Sequence, residues 1–172
     1  MDILNEIKNR RSCRSYQDTI PKKEEINKVI EAGLYAASGM NLQTGIIVSI
    51  TNKEIIHELS LLNRSIMGVD RDPFYGAPVV LLVLVKKHRN AVYDGSCMIE
   101  NMMLEASSIG LGSCWIHRLK QEIEMDEGKS ILKSLNLNLE EYEGIGHVIL
   151  GYPKDNHYKM KEIKENRVFH ID

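Results

Sequence analysis

The run Ala77-Pro78-Val79-Val80-Leu81-Leu82-Val83-Leu84-Val85 constrains this chain more than any other stretch. A strand turns successive side chains to opposite faces, so an unbroken apolar run needs cover on both. It is also far too short to cross a bilayer. The run is therefore expected to be the central strand of a sheet lying between helices, and the rest of the chain supplies the pieces. Lys22 to Ala37 predicts a helix with Ile26, Val29, Ile30, Gly33 and Leu34 on one face, and Lys53 to Leu62 a second. Ala91 to Ile109 is the longest, starting near Asp94 or Ser96 and carrying Met98, Ile99, Met102, Met103, Ala106 and Ile109. Such all-round apolarity implies burial, with a subunit interface as one form of it; a methionine stripe serves a core more often than a cofactor. Gln121 to Ser134 predicts one more helix, Leu135 to Gly144 a turn-rich connection. Gly45–Thr51, Ser113–Ile116 and Ile145–Gly151 predict strands.

Three further segments carry expectations. Met1 to Asn9 places Ile3, Leu4 and Ile7 at helical spacing, which should pin one face to a core. Asn63 to Tyr75, with Gly68, Asp70, Asp72 and Pro73, reads as a mobile segment that could act as a lid. The polar tail after Tyr152 ends in Arg167-Val168-Phe169-His170-Ile171, an alternation able to add a strand to a sheet edge.

Length and charge narrow the function classes. The 172 residues suit a single domain over 1–172, with no shift of composition, internal repeat or low-complexity segment. Charged residues make up 27% and leave a net charge of -2, so there is no global basic field for nucleic acid. Cys13, Cys97 and Cys114 form no CxxC pair and have no metal-ligand spacing with the histidines, which argues against a disulfide framework and a zinc site. A reducing cytoplasm is expected, and with no apolar signal core near Met1, no membrane. Gly110-Leu111-Gly112 is not a dinucleotide fingerprint: a helix precedes it, a strand follows, and the third glycine is missing. Gly110 reads instead as a helix C-cap and Gly112 as a tight entry to the strand. No Walker sequence, HExxH pair or GxSxG elbow is present.

The basic residues are concentrated locally, in Arg10-Arg11-Ser12-Cys13-Arg14. Compensation of a helix dipole accounts for one or two cations but for neither Ser12 nor Arg14. A phosphate plus a second electron-rich group, held by charge-assisted hydrogen bonds, accounts for all of them. Met40-Asn41-Leu42-Gln43, between a helix and a buried strand, is a natural place for a site. Cys114 and Trp115 are neighbours in a strand and point to opposite faces, and nothing in the sequence activates Cys114. The histidines at 57, 88, 117, 147, 157 and 170 are dispersed and most are expected to be solvated or locally bonded, with His117 alone at a strand end near other candidates.

Three segments together resemble the FMN-dependent nitroreductase family, which includes flavin reductases. Arg10-Arg11-Ser12-Cys13-Arg14 with Tyr16 is similar to its R-R-S-x-R-x-[FY], and Ala36-Ala37-Ser38-Gly39-Met40-Asn41-Leu42-Gln43 to its A-P-S-[AG]-x-N-x-Q. Gly110-Leu111-Gly112-Ser113-Cys114-Trp115-Ile116, followed by Gly146-His147-Val148-Ile149-Leu150-Gly151-Tyr152-Pro153, is similar to its G-L-G-[ST]-x-W-I strand and final G-Y-P. Their order and spacing across nearly the whole chain carry the resemblance.

The resemblance implies an α+β fold, with a mixed, mostly antiparallel central sheet flanked by helices, and an intertwined homodimer holding FMN at the subunit interface. It implies that Arg10, Arg11 and Ser12 take the phosphate and ribityl end. Arg14 would approach the N1/O2 edge, where negative charge develops on reduction, and is the catalytic candidate. Ser38, Gly39, Met40, Asn41 and Gln43 would come from the other subunit; Trp115, Ile116 and His117 would place backbone near flavin N5. Lys161 and Lys164 fall where many relatives have a Lys-Pro-Arg that grips the phosphate, so the missing arginine predicts looser FMN retention. Ala37 and His117 stand where relatives often have Pro and Gly, which loosens the loop and turns an imidazole toward substrate. The implied activity is NAD(P)H-dependent reduction of nitroaromatic, quinone or similar small acceptors by ping-pong hydride transfer through a single cleft. Two rivals predict different observations: a non-catalytic flavin carrier or sensor would bind FMN without turnover, and an anion- or nucleic-acid-binding module would be colourless.

Overall fold

The computed structural model of the chain describes residues 2–155 and 161–171. Among these residues four strands, β1 (Gly45–Ile50), β2 (Val79–Lys86), β3 (Gly112–Ile116) and β4 (Tyr142–Gly151), form one sheet in the order β1-β2-β4-β3, every neighbouring pair antiparallel. The parallel element of the expected mixed sheet reduces, among the described residues, to an isolated bridge between Ser12 and Ser113. β2 is central as its composition demands, and Val79 through Val85 are each 0% exposed. One face packs Leu82, Leu84, Ile149, Cys114 and Ile116 against Cys13, Tyr16, Leu59 and Phe74. The other packs Leu81, Val83, Val85, Val148 and Leu150 against Val29, Met98, Ile99 and Met102, so the methionine stripe is core.

Among the described residues six α-helices surround the sheet: α1 (Ile3–Asn9), α2 (Lys23–Leu34), α3 (Lys53–Met67), α4 (Ala91–Ser108), α5 (Leu119–Glu124) and α6 (Asp126–Ile131). Their ends follow local chemistry. Asn52 caps α3 by accepting from the amides of Glu54 at 2.9 Å and Ile55 at 3.1 Å, and Gly68 closes it with φ 65°. Gly110, at φ 81°, ends the turn after α4 as expected.

Several expectations need correction. Asn63–Met67 continue α3 rather than opening a mobile segment, and the loop that follows is stapled by Asp72, whose carboxylate accepts from Ser60 Oγ at 2.5 Å, Phe74 N at 2.8 Å and Gly76 N at 2.6 Å. α2 stops at Leu34, before Ala37, because the chain turns extended by Ser38 to reach α4. The single helix expected over 121–134 is two: Met125 is extended (φ -86°, ψ 148°), so that α5 lies along β4 while α6 turns onto α3. β4 starts at Tyr142, with Ile145 as the extra residue of a bulge opposite Val83 and Leu84. Residues 167–171 form no strand and are exposed. Ile3, Leu4 and Ile7 of α1 are 73%, 53% and 49% exposed, so the face expected to meet a core stays largely uncovered among the described residues.

Candidate cofactor site

The arginine segment is fastened to the β3 edge of the sheet. Cys13 N donates to Ser113 O at 2.8 Å, and buried Tyr16 donates from its hydroxyl to Cys13 O at 2.9 Å. Gly112 is required there, since a Cβ would lie 2.7 Å from Cys13 Sγ. Arg10 Nε is 3.6 Å from Glu100 Oε1 of α4, and Arg11 Nη1 donates back to Lys8 O at 2.6 Å and Arg10 O at 2.7 Å. Arg14 is exposed, with Nη1 3.5 Å from Ser12 O. Burial pushes the Cys114 thiol up, against the opposing pull of a hydrogen bond from Ser12 and the charges of Arg14 and Arg10, which places those three groups around it. Cys114 is accordingly a poor nucleophile, as expected.

The loop 38–43 is bound to the start of α4. Gly39 N donates to Asp94 Oδ1 at 2.9 Å, Gln43 N to Ser38 Oγ at 3.1 Å, and Gln43 Nε2 to Asn41 Oδ1 at 2.8 Å. A Cβ on Gly39 would meet Asn90 Nδ2 at 2.6 Å. Met40, Asn41 and Gln43 all have positive φ, at 54°, 54° and 49°. Three non-glycine residues in the left-handed region within four positions is strain of the kind that functional loops retain. Met40 and Leu42 project outward, 76% and 43% exposed. Ser38 and Gln43 of this loop, with Leu34, Ala37, Asp94 and Met98, line a cavity of about 240 Å³. His88 Nε2 is 3.4 Å from Asp94 Oδ2, within ion-pair reach but without hydrogen-bond alignment, so Oδ2 is a buried acceptor with no hydrogen bond among the described residues.

Trp115, at the 36% exposed outer surface of β3, crosses Gly146, where any Cβ would strike its indole Nε1. Ile116 is buried and His117 exposed. Lys161 and Lys164 are exposed in irregular chain, and no hydrogen bond or ion pair among the described residues joins them to the arginines. His157 lies outside the described residues.

The structure thus presents two groups and keeps them apart. The arginines sit beside Ser113, at the level of Val79; the 38–43 loop enters β1 at Gly45, at the level of Val85. The two attachment points are separated by three interstrand steps of about 4.8 Å and roughly 20 Å along the strands. They occupy diagonal corners of the sheet. The residues fit the cofactor that the resemblance implies. Guanidinium groups and a hydroxyl suit a phosphate; the Asp94 acceptor and the Asn41 and Gln43 amides suit hydroxyl and pyrimidine donors.

Sequence reasoning missed a buried group. His147 and Glu122 are both 0% exposed, although most of the histidines were expected to be solvated or locally bonded. The signal was present: within β4, His147 alternates with inward-facing Ile149, so it shares the buried face.

Among the described residues there is no cluster of His, Cys, Asp or Glu able to hold a metal ion, and no helix long and apolar enough to cross a membrane. Residues 7–152 match the model of the nitroreductase family. A protein of Methanothermobacter thermautotrophicus, provisionally named NADH dehydrogenase/NAD(P)H nitroreductase, is 29% identical over 168 residues, 91% of this chain and 80% of its own length. An FMN reductase (NADPH) of Bacillus subtilis is 22% identical over 72% of this chain and 57% of its own. The crystal structure of a nitroreductase with bound FMN from Bacteroides fragilis superposes with a TM-score of 0.91, covering 100% of both chains at 29% identity.

Proposed function

The chain belongs to the nitroreductase family, and from that premise we propose that it is an FMN-dependent oxidoreductase, a single domain over residues 1–172 that uses NADH or NADPH to reduce nitroaromatic, quinone or similar small acceptors. The full-length likeness to an FMN-bound nitroreductase supports the cofactor. The separation of the arginine segment from the 38–43 loop carries the architecture: neither surrounds a ligand alone, and a two-fold pairing that brings one chain's loop to its partner's arginines would create two equivalent sites. Outward-facing Ile3, Leu4, Ile7, Tyr35, Met40 and Tyr93 supply apolar surface for such a homodimer.

When bound, FMN would supply the redox chemistry, accepting hydride from the nicotinamide and passing it to an acceptor in the same cleft, which gives ping-pong turnover. The protein's part is binding and charge. Arg10, Arg11 and Ser12 hold the phosphate and ribityl end, with Lys161 and Lys164 as the tail's contribution. Arg14 stabilises negative charge at the pyrimidine edge. Ser38, Gly39, Met40, Asn41 and Gln43 of the partner chain enclose the ring and ribityl chain, while Trp115, Ile116 and His117 present backbone toward N5. Protein as purified should be yellow and should bleach on anaerobic addition of NADH or NADPH. Yellow protein that neither nucleotide bleaches would mark a carrier or sensor, and colourless protein that binds no added FMN would overturn the assignment.

A further inference from the structure

Behind Trp115–His117 lies a polar network closed off from solvent. His147 Nδ1 is 3.2 Å from Ile116 O, and its Nε2 is 2.8 Å from Glu122 Oε2. Asn63 Nδ2 donates both to Glu122 Oε1 at 2.6 Å and to His117 O at 2.9 Å. His147, Glu122 and Asn63 are each 0% exposed. Phe74 covers the imidazole, with ring centroids 5.1 Å apart and planes tilted by 53°. The carbonyl of Ile116 can only accept, so Nδ1 carries hydrogen. One further proton is then shared between Nε2 and Oε2, and the pair is neutral overall wherever that proton sits, which makes its burial tolerable.

The network grips two consecutive carbonyls at the end of β3, and the next residue, Arg118, has φ 85°. A non-glycine residue stays in that region only where its surroundings over-determine it. Both peptides are trans and planar, so each N–H points opposite to its C=O. With the oxygens of Ile116 and His117 drawn inward, the amides of His117 and Arg118 are turned away from the buried network.

We propose that His147, Glu122 and Asn63 are positioning residues that set the direction of the His117 and Arg118 backbone amides, and thereby of the donors this chain offers to the ring of its flavin. The inference rests on the proposed FMN function for its last step only; the control of the backbone stands on the geometry. His147 and Asn63 each reach one carbonyl and Glu122 ties the two side chains together; three buried polar groups so linked exceed what packing requires, since apolar residues of the same volume would fill the space without the cost of desolvation.

Two variants separate hydrogen bonding from bulk and from charge. His147→Phe keeps an aromatic ring against Phe74 and the backbone pairing of residue 147 with Ile116 but removes the imidazole's hydrogen bonds to the Ile116 carbonyl and to Glu122. Glu122→Gln keeps the connections, its amide nitrogen donating to Nε2 and its oxygen accepting from Asn63, while removing the shared proton. Amide hydrogen exchange over residues 115–118 should be measured on flavin-free protein, at a temperature where each variant remains folded. Rate of bleaching by NADH is then measured on the FMN-loaded forms. His147→Phe is expected to exchange at least about 10-fold faster in this segment and to bleach about 10-fold more slowly, and Glu122→Gln to stay within about 2-fold of the native protein in both. Unchanged exchange in His147→Phe, or equal impairment in Glu122→Gln, would overturn the proposal. Should native protein bind no FMN, the flavin assignment fails, and the exchange rates still decide whether these residues direct the amides.

Discussion

Arg14 is the exposed member of the arginine segment, so its replacement removes charge without opening the core. Arg14→Ala is expected to weaken FMN affinity by about 10-fold or more, the equivalent of one charge-assisted hydrogen bond, and to leave the melting temperature nearly unchanged. Fluorescence titration with FMN measures the first, and native affinity in the variant would remove Arg14 from the site. The arginine cluster was legible in the sequence because charge density at five positions is visible without knowing the fold. What Arg10 and Arg11 bond to was not, because Glu100 is ninety positions away and the carbonyls of Lys8 and Arg10 accept only after the chain has turned. His147 stayed hidden for a related reason: its partner Glu122 comes from α5, and Asn63, which bonds Glu122 in turn, from α3, and no sequence spacing announces these contacts.

Among elements, the strands and α4 follow directly from apolar patterning, whereas the first three residues of β4, Tyr142 to Gly144, do not. Gly144 looked like part of a turn. It lies inside β4 because a Cβ there would sit 2.7 Å from Leu119 C and Lys120 N, backbone atoms that cannot rotate away. Gly144→Ala is expected to cost about 2 kcal/mol or more, read as a lower urea midpoint at unchanged slope. α2 and the end of β4 are joined by Tyr152, whose hydroxyl donates to Glu25 Oε2 at 2.6 Å. That hydrogen bond, followed by the one from the Lys22 amide, holds the Glu25 carboxyl below its ordinary value. A lowered folded pKa means that the bond's stability is present above the ordinary carboxylate value of about 4.3 and is lost as pH falls through the folded value. Tyr152→Phe should therefore melt below the native protein at neutral pH, with the difference closing on acidification. A gap in melting temperature that stays constant to acid pH would deny Glu25 this role.

For the whole molecule, a sheet between helix layers was predictable from one apolar run, but what covers the remaining apolar faces was not. α1 shows why. Its apolar face was expected to find a core, and within one chain it finds solvent, as do Val168 and Phe169 of the tail. Periodicity reports that a face needs cover without reporting which chain provides it. The arginine segment and the 38–43 loop share that property, fixed to diagonal corners of one sheet. Complementation tests this most directly: Arg14→Ala and Asn41→Ala chains are prepared separately, each weakened in FMN binding, then mixed under conditions that exchange subunits. If each site takes Arg14 from one chain and Asn41 from its mate, the mixed dimer holds one site with both native residues, and FMN binding with NADH-driven bleaching should return in proportion to heterodimer. A mixture that forms heterodimer and recovers neither would show that both residues act within one chain, contradicting the account.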